Sequence, residues 1–322
     1  MAVVKTRSSY PSTAGQGIQV SYMVWKDDKK KPVGVVQVTH GWGEYGERYD
    51  ELCTYLAENG YVVAAQDHLG HGRTAGYKRL GLYPKGADRY MIEDMHKLYE
   101  IMHKKYKKLP YMLYGHSLGS MMVRCYLQKW GEELDSAVIC GTGHFPAMGS
   151  FFVINPALKT VAALLSPTYE KEGAKLDEKN ADKTDTFGDR EPTRAEALIN
   201  SWLSYDKQNI KNYLNDPYIG LAASATVLYM APILTNSGKA GWVRRIPKDL
   251  PLFVISGDRD IVGVYDGYGP KLAAKKLEAK GRNVTLKIYK HAKHEIHNEG
   301  AVKDEVFGDL LKFFNENNPK VK

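Results

Sequence analysis

The run Tyr114-Gly115-His116-Ser117-Leu118-Gly119-Ser120 constrains this chain more than any other stretch. It follows the apolar segment Leu109-Pro110-Tyr111-Met112-Leu113 and leads into Met121-Met122-Val123-Arg124-Cys125-Tyr126-Leu127, which reads as the start of a helix. A serine at such a strand-to-helix hinge is held in a strained backbone conformation, and flanking glycines, which carry no Cβ, let neighbouring chain pass close. Gly-x-Ser-x-Gly in this setting reads as a nucleophile elbow, with Ser117 as the candidate nucleophile.

The rest of the chain repeats the same alternation. Strand-like apolar runs occur at Ile18–Val24, Val33–Val38, Tyr61–Gln66, Tyr111–Tyr114, Ala137–Cys140, Leu252–Ser256 and Val284–Tyr289. Helical patterning falls between them at Tyr49–Asn59, Arg89–Tyr106 and Gly267–Lys280. Strands alternating with helices imply an α/β class with a mostly parallel central sheet flanked by helices on both faces. One interval breaks the rhythm. From Cys140 to Leu250 the chain is far longer than the ~30 residues a strand-helix-strand unit requires. Residues 145–239 are therefore expected to form an inserted helical lid, or cap, over the carboxyl edge of the sheet, with 1–144 and 240–322 forming the core. An independent second domain is the alternative, disfavoured because the sheet resumes with Leu250. Phe145, Met148 and Phe152 open the insertion and are expected to bind substrate; each could equally be core between helices.

A serine hydroxyl needs a base to become nucleophilic, and that base needs an orienting group. Of ten histidines, His294 falls in a loop just after the last expected strand. Asp258 and Asp260 leave the end of Leu252–Ser256, and either carboxylate could orient it. With Asp260 the chain order is Ser117, Asp260, His294, the Ser-Asp-His order of one triad fold among several. The oxyanion of a tetrahedral intermediate needs donors. The backbone N–H groups of Leu118, directly after the serine, and of Trp42, in His40-Gly41-Trp42-Gly43-Glu44, are the expected pair.

Other readings compete for some of these residues. His116 is expected to be structural, because neighbouring side chains at a sharp turn point apart. His291, His294 and His297 lack the His-Glu-x-x-His pattern of a zinc protease, so no metal is expected. His68 and His71 read as hydrogen-bonded turn residues. Gly41-Trp42-Gly43-Glu44-Tyr45-Gly46 followed by Asp67 matches a dinucleotide fingerprint in form, but Trp42 and Tyr45 crowd the turn and the elbow is left unexplained, so no cofactor is expected.

Five stretches together resemble the monoacylglycerol lipase and lysophospholipase group of the α/β-hydrolase superfamily: His40-Gly41-Trp42-Gly43-Glu44, Asp67-His68-Leu69-Gly70-His71-Gly72, Gly115-His116-Ser117-Leu118-Gly119, Gly257-Asp258-Arg259-Asp260 and His294-Glu295-Ile296-His297-Asn298-Glu299. The resemblance implies the α/β-hydrolase fold and a serine esterase of the carboxylesterase, lipase or lysophospholipase type acting on a small-molecule acyl ester. It implies Asp260 as the acid and His294 as the base of a catalytic triad. The same fold and triad would serve a proline-iminopeptidase-type peptidase, with Glu191 or Asp206 available to hold a free amine. They would serve an acyltransferase too, and a non-catalytic ligand-binding member could share the fold.

Composition narrows the setting. A hydrophobic fraction of 43% supports a real core, and the formal charge of +8 is scattered rather than gathered into a stripe interleaved with aromatics, so nucleic acid is not an expected partner. The densest charges, Lys26-Asp27-Asp28-Lys29-Lys30-Lys31-Pro32, read as a hairpin tip in water. Cys53, Cys125 and Cys140 lie in apolar segments as free thiols do, the N-terminus has no apolar signal core, and no uncharged run would span a bilayer. A cytoplasmic enzyme with at most peripheral membrane contact is expected; its oligomeric state is not read from the sequence.

Overall fold

The computed structural model describes residues 3–143, 202–219 and 228–321. Eight strands form one sheet: β1 (Val3–Pro11), β2 (Gln19–Asp27), β3 (Gly34–Thr39), β4 (Tyr61–Gln66), β5 (Tyr111–His116), β6 (Ser136–Cys140), β7 (Leu252–Gly257) and β8 (Val284–Tyr289). Their spatial order is β1-β2-β4-β3-β5-β6-β7-β8. Strand β2 runs antiparallel to β1 and β4, and all remaining neighbours are parallel. This is the mostly parallel sheet expected. Every residue of β3 to β7 is buried, which explains why these strands read as continuous apolar runs rather than as alternation.

The described helices are α1 (Asp50–Glu58), α2 (Gly72–Ala75), α3 (Ala87–Lys105), α4 (Leu118–Trp130), α5 (Lys207–Asn215), α6 (Pro232–Gly238), α7 (Tyr268–Glu278) and α8 (Lys303–Glu316). Helices α1 and α8 cover one face, packing Leu52, Leu56, Phe307, Leu310 and Phe314 against Val36, Val63 and Met112. Helices α3, α4 and α7 contribute to the core on the other face, where Met91, Met95, Met122, Leu127 and Leu277 meet Val35, Leu113 and Ile139.

Two details differ from the sequence reading. Strand β1 is an unexpected edge, with most of its side chains exposed. Its polar run is held by register with β2 rather than by an apolar face, and Lys5 and Arg7 guard the open edge. The charged stretch from Lys26 to Pro32 is not a hairpin tip. Asp27 turns the chain by accepting from Lys29 N–H (2.9 Å), but the strands on either side, β2 and β3, are separated by β4. A hairpin requires neighbouring strands, and the one here lies at Ser12–Ile18, between β1 and β2, where Ser12 N–H donates to Ile18 O (2.9 Å).

Within the insertion expected at 145–239, two pieces are described. Segment 202–219, containing α5, runs across the carboxyl edge of the sheet. Glu295 N–H donates to Leu203 O (3.0 Å), Tyr45 OH to Asp216 Oδ2 (2.7 Å) and Arg73 Nη1 to Tyr218 OH (2.8 Å). The loops after β8, β3 and β4 are thus joined by one segment, 202–219. Helix α6 instead lies on α4, with Ile233 buried in the core and Gln128 Nε2 donating to Asn236 O (3.2 Å).

Phe314 is fully buried between the rings of Tyr61 and Phe313. Phe314→Ala is expected to lower unfolding free energy by about 3–5 kcal/mol, measured by urea denaturation; a loss under ~1 kcal/mol would show that this face repacks freely.

Candidate active site

Ser117 stands between β5 and α4 with φ +54° and ψ −120°, a conformation a non-glycine residue adopts only under constraint. The constraint is visible in the glycines. A Cβ on Gly115 would come within 2.5 Å of Gly119 O, and one on Gly119 would overlap the backbone carbonyls of Thr39 and His40. The helix therefore starts almost against the end of β3. Ser117 N–H donates to Cys140 O (2.9 Å), and Ser117 O accepts from Ser120 N–H (3.0 Å), so the strained residue is tied on both sides.

His294 and Asp260 are brought together, Nδ1 to Oδ1 at 2.9 Å, and both are buried. Asp260 Oδ2 accepts from Ser256 Oγ (3.0 Å) and Oδ1 from Val262 N–H (2.8 Å). Burial pushes the Asp260 pKa up, but the facing imidazole and the Ser256 and Gly263 donors outweigh it, and the net shift is downward. A carboxylate only accepts, so His294 carries its proton on Nδ1 and leaves the Nε2 lone pair without a partner among the described residues. Asp258 does not approach His294; its carboxylate stands 3.9 Å from Arg259 Nε and from Lys290 Nζ. Cys140 and Gly141 form the hinge between serine and histidine. The former accepts from Ser117, and a Cβ on the latter would lie 3.3 Å from His294 Cε1.

Trp42 sits in a turn closed by Gly41 N–H donating to Glu44 Oε1 (2.6 Å), with Gly43 at φ +77°. Gly41 admits no side chain, since a Cβ would meet Ser117 Cβ at 2.9 Å. The turn thus lies directly over the serine. Leu118 is the first residue of α4, a position whose N–H has no carbonyl partner within the helix. The Trp42 indole is partly exposed and donates to Tyr83 OH (3.0 Å).

Sequence reasoning missed the buried ionic centre beneath this turn. Glu44 Oε1 accepts from Gly41 N–H, Tyr49 OH (2.8 Å) and His116 Nδ1 (3.1 Å), while His116 Nε2 lies 3.1 Å from His294 O. Arg48 Nε is 3.5 Å from Glu44 Oε2, an ion pair longer than a hydrogen bond, and Arg48 Nη2 bonds Glu295 Oε2 (2.6 Å) and Asn209 Oδ1 (3.1 Å). The available signal was the motif Gly41-Trp42-Gly43-Glu44 with Arg48 four residues on. His116 is structural, as expected, and both of its ring nitrogens face oxygen acceptors. Burial lowers its pKa, but the Glu44 bond and charge more than offset this, and it ends above its ordinary 6.5. Burial has the opposite effect on Glu44 and raises its pKa, yet His116 and Arg48 carry it well below 4.5.

The remaining histidines divide by environment. His40 Nδ1–H donates to Gly41 O (2.8 Å), and burial lowers its pKa to about 4; His71 donates from Nδ1 to Leu69 O (2.9 Å) and is lowered to about 3. His68 departs from the turn role expected of its side chain. Its backbone N–H donates to His40 Nε2 (2.9 Å), whereas its ring nitrogens have no partner among the described residues and the ring packs 3.9 Å from that of His40. His291 is exposed and His297 stacks on Tyr49 (4.4 Å), so His291, His294 and His297 do not converge. His116, Cys140 and His297 offer buried ligand atoms within 4.8 Å of one another, but both His116 nitrogens are already engaged. Asp67, the acid of the dinucleotide-like pattern, accepts from Gly46 N–H (2.9 Å) and Arg73 N–H (2.8 Å) and is consumed within its own turn. Phe145, Met148, Phe152 and Glu191 lie outside the described residues, and Asp206 caps α5 by accepting from Gln208 and Asn209 N–H.

A family model described as "Serine aminopeptidase, S33" matches residues 30–301. The chain is 28% identical over 298 residues to a monoacylglycerol lipase of Mycolicibacterium smegmatis, covering 92% of this chain and 93% of that protein. It is 27% identical to the monoglyceride lipase of Homo sapiens, over 87% of this chain and 81% of that one. Among solved structures, a thermostable carboxyl esterase from Bacillus coagulans in complex with glycerol superposes with a TM-score of 0.81 at 29% identity, covering 98% and 99% of the two chains.

The Glu44–His116 pair has a pH signature. An unfolded histidine titrates near 6.5, whereas the folded state holds the His116 proton to higher pH, so the pair's contribution is complete below about pH 6.5 and lost as pH rises through the raised value. Wild-type unfolding free energy, measured by urea denaturation between pH 6 and 9, is expected to fall with pH relative to His116→Gln. Parallel profiles for the two proteins would show that His116 is neutral when folded.

Proposed function

The chain belongs to the serine aminopeptidase S33 family of α/β-hydrolases, and on that premise we propose that it is a carboxylic-ester hydrolase acting on monoacylglycerols, lysophospholipids or other small acyl esters through an acyl-enzyme. The observation that carries this reading is the His294–Asp260 pair at 2.9 Å, which leaves Nε2 free to accept a proton on the same hinge as the strained Ser117.

In this mechanism the Ser117 hydroxyl attacks the substrate carbonyl while His294 Nε2 takes its proton. Asp260 fixes the tautomer and stabilises the imidazolium. The N–H groups of Trp42 and Leu118 hold the oxyanion, where preorganised donors act in a site that excludes bulk water. His294 then protonates the departing alcohol, and water repeats the sequence to release the acid and restore the serine. Residues 1–144 and 240–322 form the catalytic core, and 145–239 form the cap, with Phe145, Met148 and Phe152 against the acyl group. The relatives named as monoacylglycerol lipases support a single-chain acyl ester as substrate. The free thiols Cys53, Cys125 and Cys140 support a reducing, cytoplasmic setting, and no described helix is long and apolar enough to cross a membrane.

The family's description favours a second reading as an aminopeptidase. It would need a carboxylate to hold the free amine, and of the two candidates Asp206 already spends Oδ1 on the α5 cap.

Ser117→Ala is expected to keep the fold and lower ester turnover by ~10³-fold or more. Asp260→Asn is expected to be similarly crippled, and Asp258→Asn to stay within ~10-fold of wild type. The assay compares monoacylglycerols, lysophospholipids and short-chain esters with aminoacyl amides. Faster turnover of the amides would replace this reading with the aminopeptidase, and an active Ser117→Ala would remove Ser117 from the chemistry.

A further inference from the structure

Trp42 joins two conditions that seldom occur together. It is 45% exposed, the largest of the exposed apolar side chains described, yet its indole is tied down: Nε1 donates to Tyr83 OH (3.0 Å). An exposed side chain ordinarily keeps its rotamer freedom, and this one has lost it.

The acceptor is itself rigid. Tyr83 is buried, and its ring lies so close to Gly70 that a Cβ there would come within 2.7 Å of Tyr83 Cε1. The Tyr83 oxygen stands 3.4 Å from His71 Nε2, a long hydrogen bond, while His71 Nδ1–H donates to Leu69 O (2.9 Å). Burial keeps the His71 ring neutral and raises the pKa of the Tyr83 phenol. Nε2 therefore offers only a lone pair and the hydroxyl keeps its proton. The chain of bonds has a single direction: indole N–H to tyrosine oxygen, tyrosine O–H to imidazole nitrogen, imidazole N–H to backbone carbonyl.

The far end of this chain bears on the peptide between Gly41 and Trp42. Both neighbours of Trp42 are glycines, one imposed by Ser117 Cβ and the other at φ +77°, so the backbone supplies little stiffness of its own there. The carbonyl of the peptide is held, because Gly41 O accepts from His40 Nδ1–H (2.8 Å). A trans peptide points its N–H the opposite way, and the Trp42 N–H has no bonded partner among the described residues. What fixes the other side of that peptide is the side chain: a ring pinned at its outer edge restrains the Cα from which it grows.

We propose that Tyr83, braced by His71, is a positioning residue that acts through the Trp42 indole to aim the Trp42 N–H at the reaction centre. The inference rests on the oxyanion role proposed above for that N–H and deepens it, by naming what holds the donor in line. A donor aimed in advance needs no reorganisation when charge develops, so its benefit falls on the transition state rather than on substrate binding.

Trp42→Phe and Tyr83→Phe each remove one end of the tether and keep a ring in place, and they are compared singly and together on a water-soluble short-chain ester. Each is expected to lower kcat ~10-fold with KM within ~2-fold of wild type. The double variant is expected to be no slower than the slower single one, because both changes break the same link. Urea midpoints close to that of wild type would show that packing survives. A lowered midpoint with unchanged kcat, a rise in KM alone, or losses that multiply to ~100-fold in the double variant would overturn the proposal. Nitrogen relaxation of the Trp42 amide gives a readout that needs no turnover. That amide should be as ordered as the strands in wild type and mobile in Tyr83→Phe; equal order in the two proteins would overturn the tether. If wild type cleaves no ester while this difference in order is present, the hydrolase reading fails and the positioning of the amide stands.

Discussion

Helix α4 meets the end of β3 with no space for a side chain between them, and the rest of the site follows from that crossing. Only glycine at 119 lets the first turn of the helix come against the Thr39 and His40 carbonyls, and only glycine at 41 lets the next loop fold over Ser117. The serine pays with a left-handed backbone. In return, the N-terminus of α4 and the Gly41–Glu44 turn end up side by side. A helix start is where backbone donors lack carbonyl partners, and the proposed oxyanion role of Leu118 draws on that.

Holding the turn in place requires a buried anion, and Glu44 is expensive to bury. Its carboxylate is stabilised by a backbone N–H, a tyrosine hydroxyl, the His116 imidazole and the Arg48 guanidinium. Buried charges persist when such partners satisfy them, and removal of one partner leaves the other uncompensated. His40, His68 and His71 show the opposite solution: packed against one another without a facing carboxylate, they stay neutral. His116 and the cluster of His40, His68 and His71 are all buried, so their pKa values move in opposite directions because of what they face, not because of how deeply they lie.

The central strands were legible because burial on both faces writes an unbroken apolar run, and the elbow because glycine spacing reports a steric need directly. Strand β1 was not, since its side chains face water and its identity lies in the hydrogen bonds of β2. The charged turn at Lys26–Pro32 was misread for a related reason: whether two strands are neighbours is a property of the sheet, not of the residues joining them. Asp258 and Asp260 were indistinguishable in sequence; the side-chain directions at the end of β7 set Asp260, and not Asp258, beside His294. The Glu44, Arg48 and Glu295 centre draws on residues almost the whole chain apart, and no local pattern encodes that meeting.

Arg48 is shared. One guanidinium touches the turn over the serine through Glu44, the residue after the histidine through Glu295, and helix α5 through Asn209 and the face of the Tyr213 ring. A cation divided among three elements makes their stabilities mutually dependent, and such dependence runs equally in both directions. An occupant that tightens the loop around His294 must therefore also slow the breathing of α5, so the roof of the cleft registers what is happening on its floor.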